Sequence, residues 1–291
     1  MAKSTKRDAL GDRMKRYENV TRFTLPKRTY TIMRIDGRAF HTWTKGLKRP
    51  YDISLMDCMN AAALALCEQI ANTRFAYIQS DEISILATDF ETTLTEPWFD
   101  GTIQKFASVG ASIATQAFNS AVSDLNLAYD EFINRGRDGV AAFLERGWVG
   151  QKKAPDATFD ARVFVIPDLI EVENYFVWRQ QDAERNSVTM LAQAYASAKE
   201  LHGKNRAAQH EIIYKAGDNW AKHPASFKHG RIVRRQAIDY LGIPPAIPAG
   251  RQSNWFVDED TPVFTKSRFF LRTLIPLIWD NDLLVRKDDK Q

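Results

Sequence analysis

The sequence predicts an α+β fold: a ferredoxin-like βαββαβ antiparallel sheet with helices on one face, followed by a mixed helical C-terminal part. Three observations support this prediction. β-Rich runs and long amphipathic segments follow one another in the order strand, helix, strand, strand, helix, strand. The two middle strands are separated by only a short polar segment. The 291-residue chain, 44% hydrophobic and 26% charged, can bury a core of the necessary size.

The first strand and the first helix are predicted between residues 30 and 73. The β-rich run YTIMRI at 30–35 stops at Asp36-Gly37, a dipeptide that favours tight turns, so the acid sits at the end of a strand. Over 54–73, apolar residues return every three or four positions, as on one face of an amphipathic helix. A strand, a turn and a helix therefore open the fold.

The two middle strands are predicted to form a hairpin. The runs RFAYI at 74–78 and ISILAT at 83–88 are β-rich, and the polar residues 79–82 separate them. This spacing places Asp81 in the hairpin loop. If the first strand lies beside the first strand of the hairpin, as a crossover helix permits, Asp36 at the end of that strand converges on Asp81.

The second helix of the pattern is predicted at about 104–124 and the fourth strand at 162–167. We assign residues 9–167, which contain the whole pattern, to one domain. Residues 168–291 follow as a C-terminal helical and basic region, which we expect to pack on that domain.

Composition narrows the class of protein. Lys and Arg number 40 against 36 Asp and Glu, a formal net charge of +4, which permits a polyanionic partner without requiring one. Cys58 and Cys67 lie inside an apolar helical pattern, and their spacing matches no zinc or redox motif, which favours buried, reduced thiols in an intracellular protein. There is no run of 18 apolar residues and no signal peptide, so we expect a cytoplasmic protein without a membrane span.

Asp36 and Asp81 carry the chemical prediction. Taken singly, each fits a turn residue, because Asp hydrogen-bonds its own backbone in turns. Two carboxylates at strand ends of one small sheet, however, repel each other unless cations neutralise them. Mg²⁺ is commonly held by one or two carboxylates together with substrate phosphates, and a pair of metal ions stabilises the attacking and leaving oxygens of a displacement at phosphorus. The residues thus predict phosphoryl or nucleotidyl transfer.

Five ordered motifs within residues 9–235 resemble those of a known enzyme family. They read LGDRMKRYE, RIDGRAFHTWTKGLKRPYD, YIQSDEIS, FDARVFVIP and WRQQDAERNS. Together they are similar to the tRNA-histidine guanylyltransferase family, and more closely to its bacterial-type guanylyltransferase-like branch of 3′-to-5′ RNA polymerases. The resemblance implies a palm catalytic domain at 9–167 that adds nucleotides to the 5′ end of tRNA. It also implies ATP and GTP or other NTPs as partners, two Mg²⁺ ions per active site and a homotetramer.

The resemblance further implies the residues of the site. The catalytic residues would be Asp36, Asp81 and Glu82, with Glu82 in a supporting role, and the Gly37 carbonyl would join the two aspartates as a metal ligand. The positions that match the family's nucleotide and phosphate contacts are Arg38, Phe40, His41, Lys45, Arg49, Asp52, Ser80 and Lys105. Without the motifs, Lys45 would fit a solvated surface charge and Ser80 a simple turn residue.

Two features of the C-terminal half have simpler explanations. Clustered Lys and Arg side chains bind nucleic acid or form a solvated face, and the two outcomes are equally expected here. The basic residues that could contact tRNA phosphates are Lys222, Lys228, Arg231, Arg234 and Arg235. Trp178, in the helical run VWRQQD, is expected to pack into the core and receives no chemical role.

One departure from the family pattern bears on the substrate. Enzymes dedicated to tRNA-histidine carry His-Ile-Asn-Asn-Leu-Tyr-Asn where this chain has ERNSVTM at 184–190, so the missing histidine argues against a strict histidine-tRNA role. Repair of 5′-truncated tRNA is the expected alternative. Two other classes stay open: a palm-fold, cyclase-like enzyme acting on free nucleotides, and a non-catalytic tRNA-binding module.

Overall fold

The computed structural model describes residues 9–134, 152–236 and 254–278, and its elements follow the predicted order. The α-helices of these ranges are α1 (Ala9–Asn19), α2 (Phe40–Trp43), α3 (Ile53–Gln69), α4 (Ile103–Asn134), α5 (Leu169–Tyr195), α6 (Ala198–Leu201), α7 (Arg206–Lys215), α8 (Ala225–Lys228) and α9 (Arg268–Leu274). The strands are β1 (Tyr30–Gly37), β2 (Thr73–Gln79), β3 (Glu82–Thr88), β4 (Phe159–Ile166), β5 (Arg231–Arg235) and β6 (Trp255–Asp258). Short 3₁₀ helices span Trp98–Gly101 and Trp220–Lys222.

These six strands form one antiparallel sheet in the order β4-β1-β3-β2-β5-β6. The first four strands with α3 and α4 make the βαββαβ unit, so the predicted α+β ferredoxin-like fold is confirmed. β5 and β6 come from the region assigned to the C-terminal part and extend the same sheet beyond β2. The division of the chain at residue 167 stays a prediction.

The sequence left the neighbour of β1 open and allowed β2 as one possibility. β1 does not lie beside β2, the first strand of the hairpin; it lies between β4 and β3. The crossover helix α3 carries the chain past the central position, and the hairpin then returns β3 into the gap beside β1. In this pairing Asp36 lies opposite Glu82 on one side and opposite Asp160 on the other. Because β3 begins at the hairpin tip, Asp36 still meets that tip.

Helices cover both faces of the sheet. α3 and α4 lie on one face, where Met33 and Ile35 of β1 pack with Phe118 of α4 in the larger hydrophobic core. α5 covers the opposite face, and its Phe176 contacts Phe75 of β2 with ring centroids 4.6 Å apart. Within the βαββαβ unit the crossover helices are therefore on one face, as predicted, and the C-terminal part supplies the second layer.

The crossover helices start near their predicted positions but end elsewhere. α3 begins at Ile53 because the Asp52 carboxylate accepts the Leu55 N–H at 3.1 Å and caps the helix. It ends at Gln69, since the next strand already starts at Thr73. α4 continues well beyond the predicted end at 124. Among the described helices, none is long and apolar enough to cross a membrane.

Candidate active site

The ends of β1 and β3 bring Asp36 and Asp81 to one edge of the sheet. Asp36 belongs to β1 instead of a turn after it, and it pairs in register with Glu82, the first residue of β3. The hairpin has only Ser80 and Asp81 outside its strands, with Ser80 in the left-handed conformation at φ 47°. The Gly37 N–H donates to the Asp81 carbonyl oxygen at 3.0 Å and ties the hairpin tip to the end of β1. We call Asp36 and Asp81 the carboxylate pair.

Among the residues that the structure describes, none is a cationic partner of the carboxylate pair. Burial raises the pKa of Asp81, and the negative charge of Asp36 acts in the same direction, while hydrogen bonds from the Asp81 backbone and from Ser80 partly oppose the rise. Neither acid forms an ion pair with any other residue that the structure describes. Two neighbouring like charges of this kind would be stabilised by a bound cation.

The donor set suits Mg²⁺. The two carboxylates and the Gly37 carbonyl are hard oxygen donors, and Mg²⁺ usually completes its shell with water and substrate phosphates. Across the described ranges, no group of three or more His, Cys, Asp or Glu side chains could hold a metal ion. The residues present therefore fit an ion that is shared with a phosphate ligand, instead of one enclosed by protein alone.

Gly37 leaves no room for a side chain. A Cβ at this position would lie 2.3 Å from the Phe40 ring. Phe40 is buried and packs against Phe118 and Phe159, with ring centroids 5.4 and 5.1 Å apart. Glycine at 37 thus lets Phe40 anchor the segment after β1 in the core, directly behind the carboxylate pair.

Glu82 lies beside the carboxylate pair but is fully partnered. Its Oε2 is 3.3 Å from Nη1 of Arg179 and 4.0 Å from Nε of Arg34. Its Oε1 accepts hydrogen bonds from the Gln79 amide at 3.2 Å and from the Ser84 hydroxyl at 3.4 Å. Burial raises the pKa of Glu82, and Arg179, Gln79 and Arg34 counteract that rise. We call these five residues the Glu82 network, in which both carboxylate oxygens of Glu82 have partners.

Sequence reasoning missed Arg179 and misplaced Trp178. Trp178 is 48% exposed, so the prediction that it packs into the core is wrong. Its neighbour Arg179 is buried, lies 4.0 Å from the centroid of the Trp178 ring and donates to Asp182 at 2.5 Å. Helical periodicity could have found it: Val172, Arg179 and Ala183 repeat at intervals of seven and four residues and share the buried face of α5.

A cleft of about 1210 Å³, including its open mouth, lies beside Asp81 of the carboxylate pair, and Asp36 is not among its lining residues. Asp81 and Gly37 line it, together with most of the residues predicted to contact a nucleotide: Phe40, His41, Lys45, Arg49, Asp52 and Ser80. Lys48, Met190 and Gln193 also line it, and the last two come from the C-terminal half of α5. Sequence reasoning missed all three; Met190 and Gln193 could not be found because only the packing of α5 brings that helix to the cleft.

Asp52 lines the cleft and also holds its wall together. The side chain is buried, its Oδ1 accepts the Leu55 N–H and its Oδ2 accepts the Lys48 N–H, each at 3.1 Å. Both carboxylate oxygens therefore bond to backbone. Asp52 anchors the loop that carries Lys45 and Arg49 to the start of α3.

Two predicted nucleotide contacts lie outside the cleft wall. Arg38 is exposed, and its backbone N–H donates to the Thr158 carbonyl oxygen at 2.9 Å. Lys105 is exposed in the first turn of α4, with its Nζ 5.6 Å from the centroid of the Phe99 ring. The structure therefore does not bring these two cations together with the residues that line the cleft.

The predicted RNA contacts do not form one exposed patch. Arg231 is buried, and its Nε donates to an asparagine of α3 at 2.7 Å. Arg234 pairs with an aspartate of β6 at 2.8 Å, and Lys228 donates to a backbone carbonyl at 2.7 Å. Lys222 and Arg235 are exposed. The structure thus separates Arg231 from the other four residues.

Comparisons with known proteins agree with this architecture. The family model described as tRNAHis guanylyltransferase matches residues 11–167. The tRNA(His) guanylyltransferase of Debaryomyces hansenii is 30% identical over 231 residues, which are 75% of this chain and 77% of the relative. A solved structure of a bacterial tRNA(His) guanylyltransferase-like protein in complex with ATP is 36% identical with a TM-score of 0.74, covering 92% of this chain and all of that one. A second, in complex with GTP, is 35% identical with a TM-score of 0.67, covering 93% of this chain and all of that one.

Proposed function

Because the chain belongs to the tRNAHis guanylyltransferase family, whose members are nucleotidyltransferases, we propose that it adds nucleotides in the 3′-to-5′ direction to the 5′ end of tRNA, directed by a template. Pairing with the base opposite the added position would select the nucleotide. The protein would then need to position phosphates more than it would need to read bases. The palm-like sheet, the carboxylate pair and the adjoining cleft support this division of labour.

The proposed reaction has two displacements at phosphorus. An oxygen of the RNA 5′-monophosphate attacks the α-phosphorus of ATP, pyrophosphate leaves, and the RNA carries a 5′-adenylyl group. The 3′-hydroxyl of the incoming NTP then attacks the RNA 5′-phosphorus, AMP leaves, and the RNA is one nucleotide longer with a 5′-triphosphate. An RNA that already bears a 5′-triphosphate enters at the second step, with pyrophosphate as the leaving group.

The chain's own residues would position these groups. Asp36, Asp81 and the Gly37 carbonyl would hold two Mg²⁺ ions, which when bound supply charge stabilisation for the attacking and leaving oxygens. Lys45 and Arg49 line the cleft as exposed cations and would grip phosphate oxygens. The Glu82 network would keep the β1 and β3 ends in register beneath the carboxylate pair.

The comparisons, the segment 184–190 and the basic residues bear on the nucleotide and RNA substrates. The ATP and GTP complexes of the bacterial relatives support nucleotide binding by this cleft. The segment ERNSVTM at 184–190, which contributes Met190 to the cleft, lacks the family's histidine and supports repair of 5′-truncated tRNA over a strict tRNA-histidine role. Of the basic residues, we propose Lys222, Lys228, Arg234 and Arg235 as phosphate contacts. The homotetramer and the cytoplasmic location stay predictions.

One observation carries the proposal: Asp81 of the carboxylate pair, which has no cationic partner in the described chain, lines a cleft together with most of the predicted nucleotide contacts. A catalytically silent RNA-binding module would gain nothing from two neighbouring unpaired acids, because their repulsion destabilises the free protein. A metal-dependent enzyme gains a site for the cation.

The test is a 5′-extension assay. Wild type, Asp36→Ala and Asp81→Ala are incubated with Mg²⁺, ATP, all four NTPs and a 5′-monophosphorylated tRNA that lacks its first nucleotide. We expect wild type to lengthen the RNA by one nucleotide matched to the opposite base. Both variants should lose at least about a thousandfold in rate, as expected when electrostatic stabilisation of the transition state is removed.

The same assay with 5′-triphosphorylated RNA provides the result that would refute the proposal. If wild type extends neither RNA, the polymerase function is wrong. Conversion of free NTPs to other products would then indicate a cyclase-like enzyme, and Mg²⁺-independent tRNA binding without product would indicate a binding module.

A further inference from the structure

The first helix, α1, exposes its apolar side to solvent. Leu10, Met14 and Tyr17 follow one another at intervals of four and three residues, so they form one line along the helix, which we call the α1 stripe. They are 59%, 43% and 70% exposed, and no residue of α1 is buried within the described chain. A helix of 11 residues is only marginally stable in water without tertiary packing. A stable α1 therefore needs a surface that covers the stripe.

Two cations lie along one flank of the α1 stripe. Arg13 follows Leu10 by three residues and Arg16 follows Arg13 by three, so both lie on the same side of the helix, and both are exposed. Glu18 is on the other flank. A surface that matches α1 should thus combine apolar walls with acids near one rim.

An open groove at the edge of the sheet has these properties. It lies between the end of β4, which is an edge strand, and the first half of α5, and it has a volume of about 800 Å³ including its open mouth. We call it the outer groove. Asp168 and Glu171, both exposed, are its acids. Its other lining residues are Val165, Ile166, Pro167, Asn174, Tyr175 and the exposed Trp178.

α1 cannot fill the outer groove of its own chain. The Leu25 N–H donates to the Gly101 carbonyl oxygen at 2.9 Å, and the Ile103 N–H donates to the Phe23 carbonyl oxygen at 3.0 Å. These bonds hold the segment after α1 at the start of α4, on the face of the sheet opposite α5. The link from Asn19 to Phe23 spans at most about 14 Å, which is too short to carry α1 around the sheet. The outer groove that α1 can enter belongs to another copy of the chain.

We propose that two copies of this chain exchange their α1 helices, so that each α1 stripe lies in the outer groove of the other copy with Arg13 beside Glu171. The exchange uses the same two surfaces twice, as a two-fold assembly requires, and it closes without leaving a free groove. It covers the α1 stripe and Trp178 together. The resemblance implied a homotetramer without naming an interface. None of these residues lines the nucleotide cleft, so the inference is independent of the proposed reaction.

The first test measures the mass of the full-length chain in solution. By sedimentation velocity at micromolar concentration, we expect wild type to be a dimer or a multiple of one. Met14→Glu places a charge in the α1 stripe and should raise the dissociation constant at least about a hundredfold. Leu94→Glu makes a matched change at an apolar residue that is 87% exposed and outside both surfaces, and it should keep the wild-type mass. Circular dichroism verifies that each variant is folded.

A charge swap tests the pairing itself. Arg13→Glu and Glu171→Arg each bring like charges together, so we expect each variant alone to associate at least about tenfold more weakly than wild type. In an equimolar mixture of the two variants, each α1 again meets a groove residue of opposite charge. The mixture should therefore regain the association of wild type.

Four results would overturn the inference. A wild type that is monomeric at micromolar concentration has no exchanged helices. An unchanged mass of Met14→Glu would assign the interface to another surface. A mixture that associates no better than either charge variant alone would show that Arg13 and Glu171 do not face each other. Weaker tRNA binding by Met14→Glu without a change in mass would make RNA the partner of α1.

Discussion

Asp81 and Glu82 are adjacent in the sequence, yet their side chains lie in opposite electrostatic environments. Glu82 belongs to a buried network in which two arginines, an amide and a hydroxyl engage its oxygens. Asp81 forms no ion pair within the described ranges and has Asp36 as a charged neighbour. The difference shows how the fold separates stability from function: the partnered acid holds the strands together, and the unpartnered pair is left for a cation.

The largest effect should come from breaking the Glu82 network at Arg179. Arg179→Met fills similar volume but leaves Glu82 as a buried charge with one cation fewer. We expect a loss of about 3 to 5 kcal/mol in the free energy of unfolding. Urea unfolding followed by circular dichroism measures it. A loss below 1 kcal/mol would show that Glu82 does not depend on this arginine.

A smaller loss of stability should follow from removing the charge of Glu82 while keeping the shape of its side chain. In Glu82→Gln the side-chain oxygen still accepts hydrogen bonds, and Arg179 keeps its bond to Asp182. We expect the free energy of unfolding to fall by about 1 to 2 kcal/mol, because charge-assisted hydrogen bonds become neutral ones. The same urea titration applies. If this variant is as unstable as Arg179→Met, the network depends on the Glu82 charge itself.

Removing a charge from the carboxylate pair should raise the free energy of unfolding instead of lowering it. Without metal, Asp81→Asn removes a partly buried charge that repels Asp36, so we expect a gain of about 1 kcal/mol in the free energy of unfolding. Mg²⁺ at ten times its dissociation constant should stabilise wild type by roughly 1.4 kcal/mol and the variant hardly at all. Thermal unfolding with and without Mg²⁺ measures both effects. A variant less stable than wild type in the absence of metal contradicts this account of the pair.

The smallest effect should come from the exposed end of the same chain of charges. Arg185 is half-exposed and donates to Asp182 at 2.8 Å, the same acid that Arg179 contacts. Arg185→Met is therefore matched to Arg179→Met in chemistry but not in burial. We expect Arg185→Met to lower the free energy of unfolding by less than about 1 kcal/mol. Equal losses in the two variants, measured by the same urea titration, would mean that burial does not set the strength of this network.

Much of the fold followed from local pattern. The β-rich run of β1 and the helical spacing over α3 each depend on residues that are close in sequence, and both elements lie close to their predicted positions. The position of each strand in the sheet was harder to predict, because the same elements can be ordered in more than one way. The sequence allowed β1 to lie beside β2 as one of several arrangements, whereas in the structure β3 lies between them.

For the candidate site, too, some residues could be predicted from the sequence and others could not. Six of the residues that the motifs marked as nucleotide contacts, from Phe40 to Ser80, line one cleft. The motifs did not mark Arg179, because they do not show which face of α5 is buried; the helical spacing of Val172, Arg179 and Ala183 carries that signal. The motifs also could not show that Arg231 is buried and separate from the surrounding basic residues.

By itself, the sequence determined the order and type of the elements, the strand-end position of the acids and the family. These depend on short-range periodicity, turn chemistry and ordered motifs, all of which can be read along the chain. Only the tertiary structure decided which acid is paired and which is free. Arg179 reaches Glu82 across 97 residues of sequence, and Arg231 reaches Asn60 across 171. Such contacts depend on how the helical layers pack on the sheet. Packing buries these charged groups and so requires that they have partners, which no local pattern encodes.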